Sequence, residues 1–332
     1  MGIAARLDGF QQRHGWVGFP LAVVYKFVDD QGSYLAALIT YYGFVSLFPM
    51  LLLLVSLLGY TLEGNPGLRE ALMGSALQQF PIVGPQLEQN VGAIHGSGTG
   101  VILGILGAVY GALGVAVALQ SALNRVWAVP RYAWPDPVLS RLRGLVLFVL
   151  LGGIILITTA LSAIGTVAAG FGFAISTGVR IVAIILAIGA NVVAFLTAFR
   201  VLTARDIPLA DLMPGAVSAA VAVQVVQSVG TLLVNSELRG ASQVYGVFGL
   251  VLGLLAWLYL LAVIVVLGAE INVVRARRLW PRHLLAPFVD DHALTPADQA
   301  SYRSYADAER FKSFEQVQTT FERQAPTTDH RS

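Results

Sequence analysis

The chain has 332 residues, of which 56% are apolar and 12% are charged. Soluble domains carry about a quarter charged residues, so a chain this poor in charge cannot cover a water-facing surface, and much of its surface is expected to face lipid. The net charge of +2 gives no argument for nucleic-acid binding. The absence of Cys excludes disulfides, a thiol nucleophile and zinc thiolates.

The apolar residues are concentrated in six segments without a single Asp, Glu, Lys or Arg. Each is long enough, or nearly so, for a transmembrane helix, which needs about 20 mostly apolar residues. The segments are Tyr34–Leu62, Gly96–Asn124, Leu145–Val179, Ile181–Phe199, Leu212–Ser236 and Ala241–Ala269. The third can contain a turn, for which Gly170-Phe171-Gly172 is the natural place. We therefore predict an all-α fold, a polytopic membrane bundle of six transmembrane helices. Because the boundary between the third and fourth spans is the least defined, five and seven spans are the alternatives.

The basic residues predict the orientation of this bundle. With six spans, eighteen Lys and Arg residues lie on one side of the membrane, counting both termini, and three lie on the other. Cytoplasmic loops carry the excess of positive charge. The asymmetry therefore predicts that both ends are in the cytoplasm, an N-in/C-in arrangement.

A loop of residues 63–95 separates the first two predicted spans on the outer side. Leu68, Leu72, Ala76 and Phe80 recur at helical spacing, with polar residues between them. This pattern predicts an amphipathic segment. A short helix on the membrane surface and a lid over a cavity are both compatible with it.

Three regions follow from these patterns. Residues 1–33 are predicted to be a cytoplasmic N-terminal segment, mixed and charged, without the apolar core of a cleavable signal peptide. Residues 34–275 form the transmembrane domain. Residues 276–332 form a cytoplasmic tail whose polar end is predicted to be disordered.

Each flanking region contains one predicted amphipathic element. In Pro20–Gln31 the apolar face is predicted to carry Val23, Val24, Phe27 and Val28, with Lys26, Asp29 and Asp30 off that face, as in an interfacial helix. In the tail, aromatic residues could form one loose stripe on a cytoplasmic helix that docks on the membrane or on the protein. These residues are Tyr302, Tyr305, Phe311, Phe314 and Phe321.

Glycines form stripes on two of the predicted spans. In the second span the glycines are Gly104, Gly107, Gly111 and Gly114, and in the sixth the same spacing is repeated by Gly246, Gly249, Gly253 and Ala256. Small residues on one face let helix backbones approach closely in lipid. Close packing is the simpler interpretation, and a groove for an acyl chain or a sliding surface is the alternative.

Pro49 lies in the middle of the first span, where it removes a backbone donor. It is predicted to kink the helix near Phe44 to Ser46, and the Ser46 hydroxyl is a candidate partner for a freed carbonyl. The kink can open a cavity or be purely structural.

Glu270 is the one carboxylate embedded in an apolar run. A buried acid is costly in a membrane, so it is expected to be paired, protonated or functional. A structural ion pair with an arginine from another loop, such as Arg125 or Arg200, is one interpretation, and a role in substrate or proton handling is the other. Polar residues near the helices that could pair across them or line a pathway are Asn124, Arg125, Asn191, Gln224, Gln227 and Asn272.

No pattern for catalysis or cofactor binding is found. The sequence contains no Gly-x-Ser-x-Gly, no Walker loop, no H-E-x-x-H and no acidic cluster with metal-ligand spacing. We therefore predict that the protein is not an enzyme and has no metal or cofactor.

Seven motifs run in order along the chain: Ala36-Ala37-Leu38-Ile39-Thr40-Tyr41-Tyr42, Ser46-Leu47-Phe48-Pro49, Ala122-Leu123-Asn124-Arg125-Val126-Trp127, Asp211-Leu212-Met213-Pro214-Gly215-Ala216, Tyr245-Gly246, Leu255-Ala256-Trp257-Leu258-Tyr259 and Leu267-Gly268-Ala269-Glu270-Ile271-Asn272. Together these motifs resemble the YihY/BrkB family of bacterial inner-membrane proteins. The resemblance implies six transmembrane helices in the inner membrane. It implies less about activity, since members are linked to serum resistance or virulence and some to export of envelope lipid or lipopolysaccharide. The family was also once labelled as a ribonuclease.

Three functions are compatible with these sequence features. A transporter or flippase-like protein for a lipid or other amphiphile suits a glycine-striped bundle with few charges. A membrane scaffold or envelope-integrity factor is the alternative, with anionic lipid contacted by Arg275, Arg277 and Arg278. A membrane-bound nuclease is the remote third, since the sequence lacks a metal cluster and a basic groove. The expected partners are membrane lipids and not nucleic acid, and the oligomeric state is not predicted.

Overall fold

The computed structural model describes residues 3–61, 98–147, 150, 177–236, 238–284, 286 and 294–321, and these residues contain helices and no strands. The helices are α1 (Ile3–Arg13), α2 (Gly15–Asp29), α3 (Gly32–Thr61), α4 (Gly98–Val126), α5 (Thr177–Leu202), α6 (Leu209–Ser236), α7 (Leu238–Arg277) and α8 (Pro296–Ala308). A 3₁₀ turn at Arg131–Ala133 and a helical stretch at 137–147 follow α4.

Four of these helices are long and apolar enough to cross a membrane. Their spans are Gly104–Val126, Ile185–Leu202, Leu209–Gly230 and Val251–Arg277, and Gly32–Leu47 in α3 is a shorter apolar helix. The second, fourth, fifth and sixth predicted spans thus coincide with spanning helices, and the first coincides with α3. Most of the third predicted span, its glycine turn and the whole outer loop lie outside the described residues.

The helices are arranged as a layered bundle. α4 packs along α3, α7 packs against both α3 and α6, and α6 lies between α5 and α7. The buried core is formed by residues of α2, α3, α4, α6 and α7, among them Ala36, Leu123, Leu212 and Val273. Outward-facing residues of the same helices, such as Leu106 at 63% exposed, are large and apolar. Apolar residues on both faces are typical of helices that are packed on one side and face lipid on the other.

The glycine stripe of α4 is a contact surface with α3. A Cβ added at Gly111 would overlap Ser46, and one added at Gly114 would overlap the Tyr42 ring. The Ser46 hydroxyl donates to the Gly43 carbonyl at 2.8 Å, whereas the carbonyl that Pro49 frees in an ideal helix is that of residue 45. At these positions the close-packing interpretation accounts for the glycines.

Other members of the two stripes are placed differently. Gly104 is buried and Gly107 is half-buried. In α7, Gly249 and Gly253 are half-buried and Ala256 is exposed, so this second stripe packs less closely than the one in α4. Gly246 lies within α7, but its surroundings are outside the described part of the structure. α3 remains helical through Pro49.

The backbones of α6 and α7 approach each other closely at Gly215 and Gly268. A Cβ added at Gly215 would overlap the carbonyl oxygen of Gly268 and the side chain of Asn272. The Gly215 N–H also donates to Asn272 Oδ1 at 2.6 Å. Small residues therefore allow a direct polar contact between two spanning helices.

The N-terminal segment packs differently from the prediction. In α2 the buried side chains include Ala22, Tyr25 and Lys26, while Val24 and Val28 are 51% and 58% exposed. The predicted apolar face is therefore only partly correct: Val23 is 6% exposed and Phe27 packs against the core, but Val24 and Val28 do not. Lys26, predicted off that face, is turned inward by a buried ionic contact described below.

The tail also differs from a single aromatic helix. α8 begins with a capping box in which the side chain of Thr295 accepts from the Asp298 N–H, and Pro296 occupies the first turn. Tyr302 and Tyr305 lie on this helix, but Phe311 and Phe314 follow its end and are 64% and 83% exposed. The predicted stripe is thus divided. Residues 325–332 lie outside the described residues.

We expect Gly215→Ala to destabilise the protein by about 1–3 kcal/mol, because the added methyl group forces α6 and α7 apart. The control is Gly189→Ala in α5, where nothing lies within 4 Å of the added Cβ and the change is expected to be neutral or slightly stabilising. Thermal unfolding of the purified protein in detergent measures both. Equal midpoints for the two variants would contradict the close approach.

Candidate functional site

The end of α4 leaves two carbonyl groups without donors from the helix itself. Ala128 has a φ of 45°, and its N–H and that of Val129 return to carbonyls of the last turn. This is the pattern of a Schellman motif. It satisfies the preceding carbonyls and leaves those of Val126 and Trp127 without a backbone donor at the negative end of the helix dipole.

Two cations from other helices bind these carbonyls. The Lys26 ammonium donates to the Val126 carbonyl at 3.1 Å, and an Arg277 Nη donates to the Trp127 carbonyl. Positive charge at a helix C-terminus is stabilised by the dipole. The end of α4 therefore joins α2 and α7.

Lys26 is also the centre of a buried ion cluster, here called the Lys26 cluster. Its Nζ pairs with Asp30 and lies 3.8 Å from Glu270 Oε2, and all three side chains are at most 1% exposed. Tyr305 of α8 closes the cluster, with its ring centroid 5.0 Å from Nζ. Four separate helical segments thus contribute to one small polar region.

The charges in the Lys26 cluster do not balance. Two neighbouring carboxyl groups, Asp30 and Glu270, face one ammonium, and no described donor hydrogen-bonds to either Glu270 oxygen. Burial raises the pKa of the Asp30 carboxyl, and the Lys26 ammonium only partly offsets this. A buried excess of negative charge is costly, and Asp30 therefore takes up a proton more readily than a free carboxyl group does.

The partner of Glu270 differs from both arginines considered from the sequence. Arg125 is exposed and donates to Gln31 Oε1 at 3.4 Å, and Arg200 donates to the Ile207 carbonyl at 2.9 Å. The cation beside Glu270 is instead Lys26, from a helix that the sequence placed at the membrane surface. The expectation of an ion pair is therefore supported, with a different partner.

A second buried group, the Arg282 cluster, ties the tail to the N-terminal segment. Arg282 is 1% exposed, and its Nη1 and Nε contact Asp29 Oδ2 at 2.7 Å and Asp298 Oδ1 at 2.8 Å. Burial by itself lowers the pKa of Arg282, but attraction to Asp29 and the hydrogen bonds to Asp298 and Asp29 raise it above its usual value. Arg282 is therefore held as a cation between α2 and α8.

Neighbouring contacts extend the Arg282 cluster to α1. Gln11 donates to the Arg282 carbonyl, and Asp8 accepts from the Leu284 N–H at 2.8 Å. The Tyr25 hydroxyl donates to the Leu284 carbonyl at 2.6 Å. The tail thus docks on the protein through buried polar contacts. The signals in the sequence were the adjacent acids Asp29-Asp30 and the capping acid of α8.

Pro214 creates a further site on the exposed side of α6. Proline has no N–H, so the carbonyl of Ala210 lacks its usual helical donor. Arg275 Nη1 donates to that carbonyl at 3.2 Å. This contact places a guanidinium beside an open groove along α6.

The groove has a volume of about 910 Å³ and a mostly apolar lining. Its lining residues are Ala210, Met213, Pro214, Val217, Ser218, Val221, Ala222 and Arg275. These residues recur every three or four positions, so they lie on one face of the helix over about three turns. The groove is therefore apolar along its length and has a cation at one end. An anionic amphiphile has the complementary chemistry, an acyl chain beside a negatively charged headgroup.

The other predicted site residues have structural contacts. Asn124 is 1% exposed and accepts from the Ala204 N–H at 2.7 Å, which ties α4 to the loop after α5. Asn272 is fully buried and holds Gly215, as described above. The structure brings Asn272 and Glu270 to the C-terminal part of α7, but neither lines the groove.

The sequence predicted lipid contact for three arginines after the sixth span. Arg275 lines the groove, whereas Arg277 is half-buried and bonded to the end of α4. Arg278 is exposed, with a φ of 53°. Within the described part of the chain, no group of three or more His, Cys, Asp or Glu residues is arranged to hold a metal ion.

We expect Lys26→Met to destabilise the protein by about 3–5 kcal/mol, because two buried carboxyl groups lose their cation. The only other lysine, Lys312, is exposed, and Lys312→Met is the matched control with no measurable change expected. Unfolding in detergent at neutral pH compares the two. If Lys26→Met were as stable as wild type, the Lys26 cluster would not hold the helices together.

Similar protein sequences identify the family of this chain. Residues 23–288 match the family Virulence factor BrkB. A UPF0761 membrane protein of Psychrobacter sp. (strain PRwf-1) is 22% identical over 289 residues, covering 83% of this chain and 52% of the relative. A UPF0761 membrane protein of Pseudomonas aeruginosa (strain LESB58) is 23% identical over 293 residues, covering 82% and 66%.

This chain spans about half to two thirds of the length of these relatives. No solved structure matches it. The family match extends over most of the chain and includes α7 with Glu270, Asn272 and Arg275. The resemblance found in the motifs is thereby confirmed, and the chain belongs to the BrkB virulence factor family of membrane proteins.

Proposed function

We propose that this protein is an inner-membrane transporter or flippase-like protein for a lipid or another amphiphile with an anionic headgroup. The observation that carries the proposal is the apolar groove on α6, which has Arg275 at one end. An acyl chain can lie along an apolar groove, and a guanidinium binds phosphate or carboxylate oxygens with charge-assisted hydrogen bonds. The groove thus combines an apolar surface on α6 with a cation supplied by α7.

The position of the groove supports a membrane ligand. It follows α6 within the span Leu209–Gly230, and Met213, Val217 and Val221 are each 41–45% exposed. Their side chains therefore face lipid rather than the core. Arg275 lies near the end of the span Val251–Arg277, where a cation can meet a lipid headgroup. The sequence has no ATP-binding motif, so transport in this proposal draws on a gradient or a partner.

The proposal is tested in reconstituted vesicles that contain a headgroup-labelled anionic phospholipid. Wild-type protein is expected to move the lipid between leaflets faster than protein-free vesicles do. Val217→Trp fills the groove, and Arg275→Gln removes its cation. Each is expected to lower the rate by roughly tenfold, the effect of about 1.4 kcal/mol. Val193→Trp is the control, because Val193 is exposed on α5 and does not line the groove.

Two results would count against transport. Wild-type vesicles that behave like protein-free vesicles across envelope lipids would favour the scaffold function instead. Equal rates for Val217→Trp and Val193→Trp would remove the groove from the mechanism. Reconstitution has to be verified for each variant by the amount of protein recovered in the vesicles.

The proposed topology has six spans with both ends in the cytoplasm. This topology rests on the distribution of Lys and Arg. In it, α6 and α7 form an antiparallel pair, and the chain passes from one to the other near Ser236 on the outer side.

The chain contains no Cys, so single cysteines can be labelled without a background. In intact spheroplasts an impermeant maleimide is expected to react with Ser236→Cys. It should react with Arg6→Cys and Ser313→Cys only after the membrane is permeabilised. Labelling of the two ends from opposite sides would require an odd number of spans, and the reverse pattern would invert the orientation.

A further inference from the structure

A second cavity lies between the segment after α4 and the loop after α5. It has a volume of about 500 Å³, and Arg143, Arg200 and Arg205 line it together with Asp206. Its other lining residues are small or apolar, among them Pro135 and Leu139. The cavity is far larger than the roughly 30 Å³ that one water molecule occupies, so it has room for a polyatomic anion.

The charges around this cavity are not balanced. Asp206 is the only carboxylate in the lining, is 91% exposed and pairs with Arg200 at 3.3 Å. Among the described residues, Arg143 and Arg205 have no ion-pair partner. Arg205 also lies close enough to Arg277 to repel its charge. Two guanidinium groups are therefore available to an anion.

Local structure fixes where the three arginines stand. Arg143 lies on the helical stretch 137–147, which is held against α4 by the hydrogen bond from Gln120 Nε2 to the Ser140 carbonyl at 2.8 Å. Arg200 lies in the last turn of α5, and its Nη1 donates to the Ile207 carbonyl at 2.9 Å. Arg205 lies in the loop after α5, which is also held to α4 by the hydrogen bond from the Ala204 N–H to Asn124 Oδ1 at 2.7 Å. The lining is thus built on two helical segments and an anchored loop.

The cavity is at the end of a membrane span. Arg200 and Val201 end the span Ile185–Leu202, and the α6 groove begins at Ala210 a few residues later. An arginine-lined cavity at the end of a spanning helix lies at the depth of lipid headgroups. Its location therefore favours the phosphate of a lipid over an anion deep in the bundle.

We propose that the cavity lined by Arg143, Arg200 and Arg205 is a phosphate site that binds the headgroup of an anionic phospholipid. Arginine presents planar donors that match phosphate oxygens. The site is separate from the α6 groove, and binding there requires no transport. Free phosphate shares the same chemistry, so the test distinguishes the two sources.

Native mass spectrometry of the full chain in detergent tests the proposal with three probes: phosphatidylglycerol, zwitterionic phosphatidylcholine and inorganic phosphate. Wild-type protein is expected to retain phosphatidylglycerol in preference to phosphatidylcholine. The double variant Arg143→Gln/Arg205→Gln is expected to bind phosphatidylglycerol at least roughly tenfold more weakly, because it loses two charge-assisted contacts. Arg200 is left intact because it anchors the loop.

The matched control is Arg141→Gln, on the same helical stretch but outside the cavity lining, which is expected to bind like wild type. If inorganic phosphate binds in place of lipid, and this binding is lost in the double variant, the cavity is a phosphate site whose ligand is a soluble phosphate. The proposal is overturned if the double variant and the control bind all three probes alike, or if both lipids bind wild type equally and phosphate does not bind. Lipid binding is measured without translocation, so the interpretation of this result does not depend on the outcome of the transport assay.

Discussion

The ammonium group of Lys26 joins α2 to α4, α7 and α8. It donates to the last carbonyl of α4, pairs with Asp30 at the end of its own helix and faces Glu270 on α7. Removing such a cation would leave both a helix end and two carboxyl groups unsatisfied in a region without water contact. Burial weakens the screening of this ion pair but also costs desolvation of the charges, so the main penalty of losing Lys26 is the buried charge left without a partner.

The adjacent acids Asp29 and Asp30 explain why the two ends of the chain meet. Acidic residues at a helix C-terminus are unfavourable, because the dipole places negative charge there. Asp30 is compensated by Lys26 and Asp29 by Arg282, which the tail supplies. The tail is therefore part of the folded domain as far as α8, and the boundary predicted at residue 276 divides regions that share buried polar contacts.

The same end of the bundle contains the features proposed to bind amphiphiles. Pro214 frees a carbonyl, Arg275 binds it, and the bound guanidinium borders the groove. The nearby Gly215 lets α6 and α7 approach closely enough for Asn272 to reach the backbone. One motif, Met213-Pro214-Gly215, thus contributes both to a lipid-facing groove and to a close helix contact.

The amino-acid sequence by itself determined the apolar helices, the membrane class and the family, because these depend on local composition and on motifs in order along the chain. It also singled out Glu270, since a lone carboxylate in an apolar run requires a partner. Only the tertiary structure decided that the partner is Lys26, which turns the polar side of α2 inward. The reason is physical: local periodicity predicts which face is apolar, but a buried charge requires partners, and those of Lys26 include groups on helices far away in the sequence. The groove and the arginine cavity depend likewise on which helices meet, so neither could be predicted from any one segment.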